Sequence, residues 1–228
     1  MRILIAICLV LTTMVPSLAR ADLDATDRAT LNSIIEDFIR NNPEIVRDTL
    51  IALAAREEAE RKQTGLAKVR DDQGDPVMGN TNGTITLYEF SDYNCGYCKR
   101  VFGPIQQLVR DNPDVRLVIK EFPILSQSSL VAAKAAIAAE MQGKFGDYHI
   151  AMMTYRGQIT DAVVMRMAAQ SGVDIEQLKS DMESPKTMAI IQRTREAAAA
   201  LEINGTPGLV VGDTIVPGAI GLDALDKL

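Results

Sequence analysis

The sequence has few of the residues from which structural metal sites and disulfide frameworks are built. Its 228 residues include three cysteines and one histidine, and tryptophan is absent. A closed zinc site usually takes four cysteine or histidine ligands, so this chain is poorly supplied for one. Basic residues number 24 against 30 acidic ones and do not cluster, so nothing in the sequence indicates a nucleic-acid partner.

Long apolar runs are also scarce. The longest extends from Ile3 to Val15, after Arg2, and small residues follow it up to Ala21. A membrane-spanning helix needs roughly 18 apolar residues, so the pattern predicts a secretory signal peptide in residues 1–21 rather than an anchor. We expect cleavage after Ala21, or otherwise after Ala19, and export into an oxidising compartment.

Cleavage would leave only two cysteines, Cys95 and Cys98, separated by two residues. The alternation of apolar and polar residues over 84–90 predicts a strand, and apolar residues from Cys98 to Leu108 recur at helical spacing. Cys95 therefore falls at a helix N-terminus, where unpaired N–H groups and the helix dipole stabilise a thiolate. We predict a redox pair in which Cys95 attacks and Cys98 resolves.

Two helices without a core of their own are predicted over residues 22–75. Apolar residues from Leu31 to Ile39 form one stripe, and Pro43 favours the start of a second helix that continues, mostly charged, towards Val69. So small a segment buries its apolar faces poorly on itself, which leaves packing onto the rest of the chain or self-association. The charged stretch resembles a stalk, which favours self-association through residues 22–75.

The remaining chain, residues 76–228, predicts one α/β domain. Runs that alternate apolar and polar residues, or that are rich in β-branched residues, indicate its strands. An alanine-rich block indicates a helical insertion at about 128–201. A turn at Asn82–Gly83 suggests a short hairpin before the cysteine motif. The predicted strands are 84–90, 115–121, 208–211 and 214–216, the hairpin adds 77–78, and a last helix is predicted over 222–228.

The motifs of this domain resemble those of the thioredoxin superfamily, with a C-x-x-C at a strand-to-helix junction and Gly205-Thr206-Pro207 entering a hairpin much later. The helical block between them is similar to that of periplasmic disulfide oxidoreductases of the Dsb A type. The strings at 92–100, 120–125 and 216–219 resemble the suppressor-of-copper-sensitivity protein C and Com1-like branch. This resemblance implies a thioredoxin fold with an inserted helical domain, located in the periplasm.

The resemblance also implies catalytic roles. Cys95 matches the solvent-facing nucleophile of the family and Cys98 its buried resolving cysteine. Glu89 matches a buried glutamate on the incoming strand, and Lys120 matches its lysine neighbour on the next strand. A buried carboxylate with a raised pKa could accept the proton of Cys98, although a salt bridge tying two strands together explains the same pair equally well.

The substrate-binding surface is implied in the same way. Thr206–Pro207 matches a pair whose proline is cis and faces the disulfide, where the preceding backbone pairs with a bound peptide. Gly96 and Tyr97, between the cysteines, help to set the reduction potential, and we assign them to this surface together with Thr206 and Pro207.

The function expected from these observations is thiol–disulfide exchange on unfolded or misfolded secreted proteins that contain cysteine. No cofactor is expected beyond the redox-active Cys95–Cys98 disulfide. A membrane thiol reductase or oxidase would recharge the site, and a homo-oligomer, trimer or dimer, would form through residues 22–75. Several active sites around a stalk would hold a misfolded client and exclude a membrane oxidase, which favours isomerase or reductase activity over oxidase activity.

Two other functions stay open at this point. Soft thiolates select Cu(I), so the same pair could bind copper in a two-coordinate site or serve copper tolerance. The helices could also bind partners in an adaptor protein. His149, the single histidine, is expected to be a surface or packing residue.

Overall fold

The structure is a computed structural model that describes residues 24–219 and Gly221. The predicted signal peptide and the predicted helix over 222–228 lie outside these described residues. Among the helices that are described, none is both long and apolar enough to cross a membrane.

The described chain begins with two helices, α1 (Ala25–Asn41) and α2 (Pro43–Arg70). Asp24 caps α1, because its side chain accepts hydrogen bonds from the backbone N–H groups of Thr26 and Asp27. Pro43 is the first residue of α2, as the sequence predicts. The chain divides into two compact units between Ala54 and Ala55, inside α2.

The first unit contains α1 and the beginning of α2, and α1 has no buried residue. Its large apolar side chains are exposed to between 40% and 62%. They are Leu31, Ile34, Ile35, Phe38, Ile39, Ile45, Val46, Leu50, Ile51 and Leu53. Within this unit, the apolar stripe predicted from the sequence therefore lies open to solvent.

The last turns of α2 belong to the second unit and are packed into it. Leu66 and Val69 are buried, and a Cβ added at Gly65 would meet the Leu201 side chain at 2.5 Å. The absence of a side chain at Gly65 thus allows α2 to pack closely against Leu201. The second unit accordingly starts well before the boundary that the polar run near Asp75 suggests.

A five-stranded sheet forms the centre of the second unit, in the order β1-β3-β2-β4-β5. β2 and β3 are parallel and the other neighbours are antiparallel. The strands are β1 (Val77–Gly79), β2 (Ile85–Ser91), β3 (Val115–Glu121), β4 (Gly208–Val211) and β5 (Thr214–Pro217). The predicted hairpin before the cysteine motif is wrong, because β3 lies between β1 and β2 and takes the pairing edge that a hairpin would use.

Helices cover the sheet and separate β3 from β4. α3 (Gly96–Asp111) follows β2 directly, and five helices then form the predicted inserted block. They are α4 (Gln127–Met141), α5 (Phe145–Thr154), α6 (Asp161–Gln170), α7 (Ile175–Met182) and α8 (Pro185–Ala200). The predicted α/β class with a helical insertion is confirmed.

The two faces of the sheet have different neighbours. Leu87, Leu117 and Ile119 share a buried core with α3 and much of the helical insertion. Phe90 and Val118 point to the opposite face, where the end of α2 and the end of α8 cover them. This alternation of side chains decides which charged residues of β2 and β3 reach the cysteine pair.

Candidate functional site: a cysteine pair at the start of a helix

Cys95 is the N-cap residue of α3, at the point where the chain leaves the end of β2. Its sulfur accepts a hydrogen bond from the backbone N–H of Cys98 at 3.4 Å. No disulfide joins the two cysteines in this structure. Cys98 is fully buried and Cys95 is 5% exposed, so Cys95 is the more accessible of the two cysteines. The resemblance implies a solvent-facing nucleophile, and Cys95 is much less exposed than that. The Thr206 carbonyl beside it accounts for part of this cover.

The two thiols have opposite acidities. A hydrogen bond from the Cys98 side chain lowers the pKa of Cys95 to about 5, against the effect of burial, and the backbone amides of Cys98 and Tyr97 act in the same direction. The pKa of Cys98 is raised because its proton is held in the bond to Cys95 and because it is buried. At neutral pH the pair therefore contains one thiolate, on Cys95, and one thiol.

Thr206 and Pro207 lie opposite the cysteines, and the peptide bond that joins them is cis. The Cys95 sulfur is 3.2 Å from the carbonyl oxygen of Thr206. Tyr97 is 57% exposed beside this site, and the guanidinium of Arg100 lies 4.4 Å above its ring. A Cβ at Gly96 would meet no atom within 4 Å, so sterics do not require glycine there.

Glu89 lies on the sheet face that packs against α3 and is 2% exposed. Burial raises its pKa to about 7, and the Cys95 thiolate raises it further. Its charge in turn raises the pKa of Cys98. The structure therefore brings Glu89 to the cysteine pair, as the resemblance implies.

Lys120 is not brought to Glu89. In the register of β2 and β3 it is paired with Phe90 and points to the opposite face of the sheet, while Ile119 is paired with Glu89. Its ammonium forms a fully buried ion pair with Asp75, which also binds Arg193. Through Asp75, Lys120 links β3 to the segment before β1 and to α8. Lys120 therefore forms a salt bridge, as one of the two interpretations expected, but its partner is Asp75 and not Glu89.

Asp92 organises the loops around the cysteines, a role that the sequence reasoning missed. Its buried carboxylate accepts hydrogen bonds from the backbone N–H groups of Asn94, Ile124 and Leu125 at 2.8–3.1 Å, and from the Ser129 hydroxyl at 2.7 Å. It therefore joins the loop before Cys95 to the loop after β3. In the sequence, the position of this aspartate three residues before the first cysteine was the only sign of such a role.

A second buried cluster contains Glu121, Tyr93 and His149. The Tyr93 hydroxyl oxygen is 3.0 Å from Glu121 Oε1 and 2.9 Å from His149 Nδ1. The imidazole packs against Phe102 and Phe145, which confirms His149 as a packing residue, here with one polar contact. The alternation of β3 could have placed Glu121 on the inward face, because it follows Leu117 and Ile119 at spacings of two residues.

The described residues contain no group of three or more histidine, cysteine, aspartate or glutamate side chains placed to hold a metal ion. The site combines a thiolate at a helix N-terminus, a protonated partner thiol and a buried carboxyl group whose pKa is raised to about 7. This combination is suited to exchange between thiols and disulfides.

Several solved structures are similar to this chain, and the descriptions of two of them name oxidoreductase or thiol–disulfide exchange chemistry. A thioredoxin-like oxidoreductase from Silicibacter pomeroyi is 43% identical, with a TM-score of 0.68 over 70% of this chain and 92% of that one. The catalytic domain of Proteus mirabilis ScsC is 26% identical, with a TM-score of 0.67 over 74% and 94%. The thiol–disulfide exchange protein alpha-DsbA2 from Wolbachia pipientis is 28% identical, with a TM-score of 0.69 over 76% and 95%.

Curated relatives match only over part of their length. The Na(+)/H(+) antiporter NhaA 1 of Mycolicibacterium gilvum is 31% identical over 154 residues, which is 64% of this chain and 25% of the antiporter. The chain thus spans about a quarter of the curated relatives it matches.

A family model described as a DSBA-like thioredoxin domain matches residues 86–228, which include both cysteines and the cis-proline. The resemblance to Dsb-type thioredoxin-superfamily proteins and to ScsC is confirmed, and the fold is the thioredoxin-like one that it implies. The chain belongs to the family of DSBA-like thioredoxin domains.

Proposed function

We propose that this protein is a periplasmic thiol–disulfide oxidoreductase that acts on protein disulfides through Cys95 and Cys98. The observation that carries the proposal is the place of Cys95 at the N-cap of α3, where its sulfur accepts a hydrogen bond from the Cys98 N–H at 3.4 Å. The neighbouring Cys98 thiol and this arrangement lower the pKa of Cys95 to about 5, while the pKa of Cys98 is raised. A thiolate at neutral pH is the attacking species in disulfide exchange and is also a good leaving group.

The reaction proceeds in two exchanges. The Cys95 thiolate attacks one sulfur of a client disulfide, forms a mixed disulfide and releases the other client sulfur as a thiolate. Cys98 then gives its proton to Glu89 and attacks the Cys95 sulfur, which forms the Cys95–Cys98 disulfide and releases the second client thiolate. The client is reduced by two electrons, the protein is oxidised by two, and the reverse sequence oxidises a client.

The surroundings of Cys95 favour an extended, partly unfolded client. The Thr206 carbonyl lies at the reacting sulfur, where client backbone can pair with it. Tyr97, Ile124 and Leu125 are 57%, 41% and 52% exposed, and Asp92 holds the backbone of the last two next to the cysteine loop. Apolar side chains of an unfolded secreted protein would be bound there.

The exposed apolar stripe of α1 supports self-association, and with it isomerase or reductase activity over oxidase activity. Large apolar side chains exposed in a row are typical of an interface. A dimer or trimer would place several cysteine pairs around one client and hinder a membrane oxidase, so that a membrane thiol reductase keeps the pair reduced.

The association is tested on the stripe itself. Ile35→Glu together with Phe38→Glu places charge among apolar side chains and is expected to convert the oligomer to a monomer in light scattering. Ser33→Glu, on the opposite side of α1, is the matched control and should leave the mass unchanged. A wild-type chain that is already monomeric contradicts the proposal.

The activity is tested with insulin reduction and rescue of scrambled ribonuclease. Both are expected to be lost in Cys95→Ala, and rescue should exceed the rate at which the protein oxidises reduced ribonuclease. Activities that survive Cys95→Ala would overturn the enzyme proposal, and faster oxidation than rescue would overturn the preference for isomerase activity.

Two-coordinate Cu(I) binding is the second candidate, favoured by the reduced thiols that stand together at the start of α3. If it is a function of this site, the protein retains Cu(I) on a desalting column and Cys95→Ser with Cys98→Ser releases it. Equal retention by the double variant would show that the thiols are not the metal site.

A further inference from the structure

Two carboxyl groups lie buried on the same face of the sheet, behind the cysteine pair. In the register of β2 and β3, Glu121 is paired with Ser91, and Glu89 is two residues before Ser91, so the two glutamates are diagonal neighbours. They are 2% and 1% exposed, and neither forms an ion pair within the described part of the chain. Two such carboxyl groups do not ionise independently.

Among the described residues, the carboxyl group of Glu121 contacts one hydrogen-bonding group, the Tyr93 hydroxyl, which also contacts His149 Nδ1. A hydroxyl has one hydrogen, so it donates to only one of these neighbours. If Tyr93 donates to Glu121, the carboxylate form of Glu121 is stabilised. If Tyr93 donates to His149, its oxygen is left to accept a hydrogen bond from Glu121 as a neutral carboxylic acid.

The surroundings of His149 favour the second arrangement. Burial lowers the pKa of His149 to about 3, so the ring is neutral and carries one proton. Nε2 is buried and has no hydrogen-bond partner in the part of the chain that the structure describes, and the ring packs against Phe102 at 5.6 Å and Phe145 at 4.9 Å between centroids. An N–H is attracted by aromatic rings and a lone pair is not, which favours the tautomer that carries its proton on Nε2 and accepts at Nδ1.

The charges that face Glu121 also favour its neutral form. Burial raises the pKa of Glu121 well above its usual range, against the hydrogen bond with Tyr93, and nearby carboxylates raise it further. The groups on its side of the sheet come from β2 and the loop after it and from α5, and they are Glu89, Asp92, Tyr93, Tyr148 and His149. Asp75 acts on it from the other side of the sheet and also raises its pKa. No lysine or arginine bonds to it within the described residues.

We propose that Tyr93 and His149 are positioning residues that hold Glu121 as a neutral acid, and that this neutrality allows Glu89 to ionise and accept the proton of Cys98. The inference rests on the proposed function and extends it to three residues that the exchange itself does not touch. Glu121 keeps its proton throughout the cycle. A charged Glu121 would keep Glu89 protonated at neutral pH and remove the base.

The direct test is carboxyl ¹³C NMR on the reduced wild-type protein, which needs no catalytic turnover. Glu121 is expected to be protonated at neutral pH while Glu89 titrates near 7. A Glu121 signal in the ionised position at neutral pH would overturn the proposal, whether or not the protein exchanges disulfides. Conversely, the expected signals together with no insulin reduction would refute the proposed function and leave the assignment of Glu121 standing.

His149→Phe supplies the second test, because it keeps a ring among Phe102 and Phe145 but removes the acceptor. Tyr93 then donates to Glu121, which lowers the pKa of Glu121 and stabilises its charged form, and the Glu89 titration is expected to move up by about one pH unit. The pH at which mixed-disulfide resolution reaches half its maximum should move with it.

Glu121→Gln distinguishes this role from simple packing. Its amide donates to Tyr93 as the neutral acid does, so alone it should leave the Glu89 titration unchanged. Combined with His149→Phe it should restore the wild-type titration. A shift that persists in the double variant, or no shift in a folded His149→Phe, contradicts the proposal.

Discussion

The acidity of Cys95 depends chiefly on one neighbour. The largest contribution to its lowered pKa is the hydrogen bond from the Cys98 thiol, ahead of those from backbone amides. The helix N-terminus that the sequence predicts thus explains only part of the effect. The remainder belongs to the pair, because the proton that Cys98 retains is the one that stabilises the Cys95 thiolate.

Cys98→Ala is therefore expected to raise the pKa of Cys95 by about one to two units. In the wild type, the alkylation rate should fall only as the pH drops through about 5, because the thiolate persists down to that pH. The measurement is the iodoacetamide alkylation rate against pH for both proteins. An unchanged midpoint in Cys98→Ala would mean that the helix terminus alone determines the acidity of Cys95.

At the scale of single elements, the alternation of side chains along β3 places Glu121 and Lys120 on opposite faces of the sheet. Glu121 points to the cysteine side, and Lys120 points to the other side, where it meets Asp75 from the segment before β1. The sequence predicts both strands and the site of Cys95, since these follow from local patterns. It could not predict the partner of Lys120, because that depends on the pairing of β1 with β3 and on a contact across 45 residues.

Asp75→Asn is expected to destabilise the fold by about 3–5 kcal/mol, because it leaves Lys120 charged and buried without its partner. Lys120→Met combined with Asp75→Asn removes both charges and should cost less than the sum of the single changes. Urea denaturation measures the stabilities. The pKa of Cys95 should stay unchanged in Lys120→Met. A changed pKa of Cys95 would mean that Lys120 does act on the cysteine pair.

At the scale of the whole molecule, the second unit begins at Ala55 rather than at the polar run near Asp75. Composition alone suggests the later boundary, because Gly74 and Pro76 interrupt the helical pattern there. The packing of α2 is decided instead by Leu66 and Val69, two apolar residues in a mostly charged stretch, and by the room that Gly65 leaves for Leu201. Such a contact between distant segments has no local signature.

A chain that starts at Ala55 is therefore expected to fold and retain exchange activity, whereas one that starts at Pro76 should be much less stable. The shorter chain loses Leu66 and Val69, each worth about 1.5–3 kcal/mol when buried, and leaves Lys120 without Asp75. Thermal denaturation of the two truncated chains compares them. Equal melting temperatures of the two truncated chains would contradict a second unit that begins at Ala55.

The most direct measurement of the central claim is covalent trapping of a client on Cys95. Without Cys98 the mixed disulfide cannot be resolved internally, so Cys98→Ala incubated with scrambled ribonuclease at mildly alkaline pH should accumulate a reducible adduct. Mass spectrometry of its peptides is expected to find the client joined to Cys95. Absence of an adduct under conditions that trap a small-molecule disulfide on the same sulfur would show that this thiolate does not act on protein disulfides.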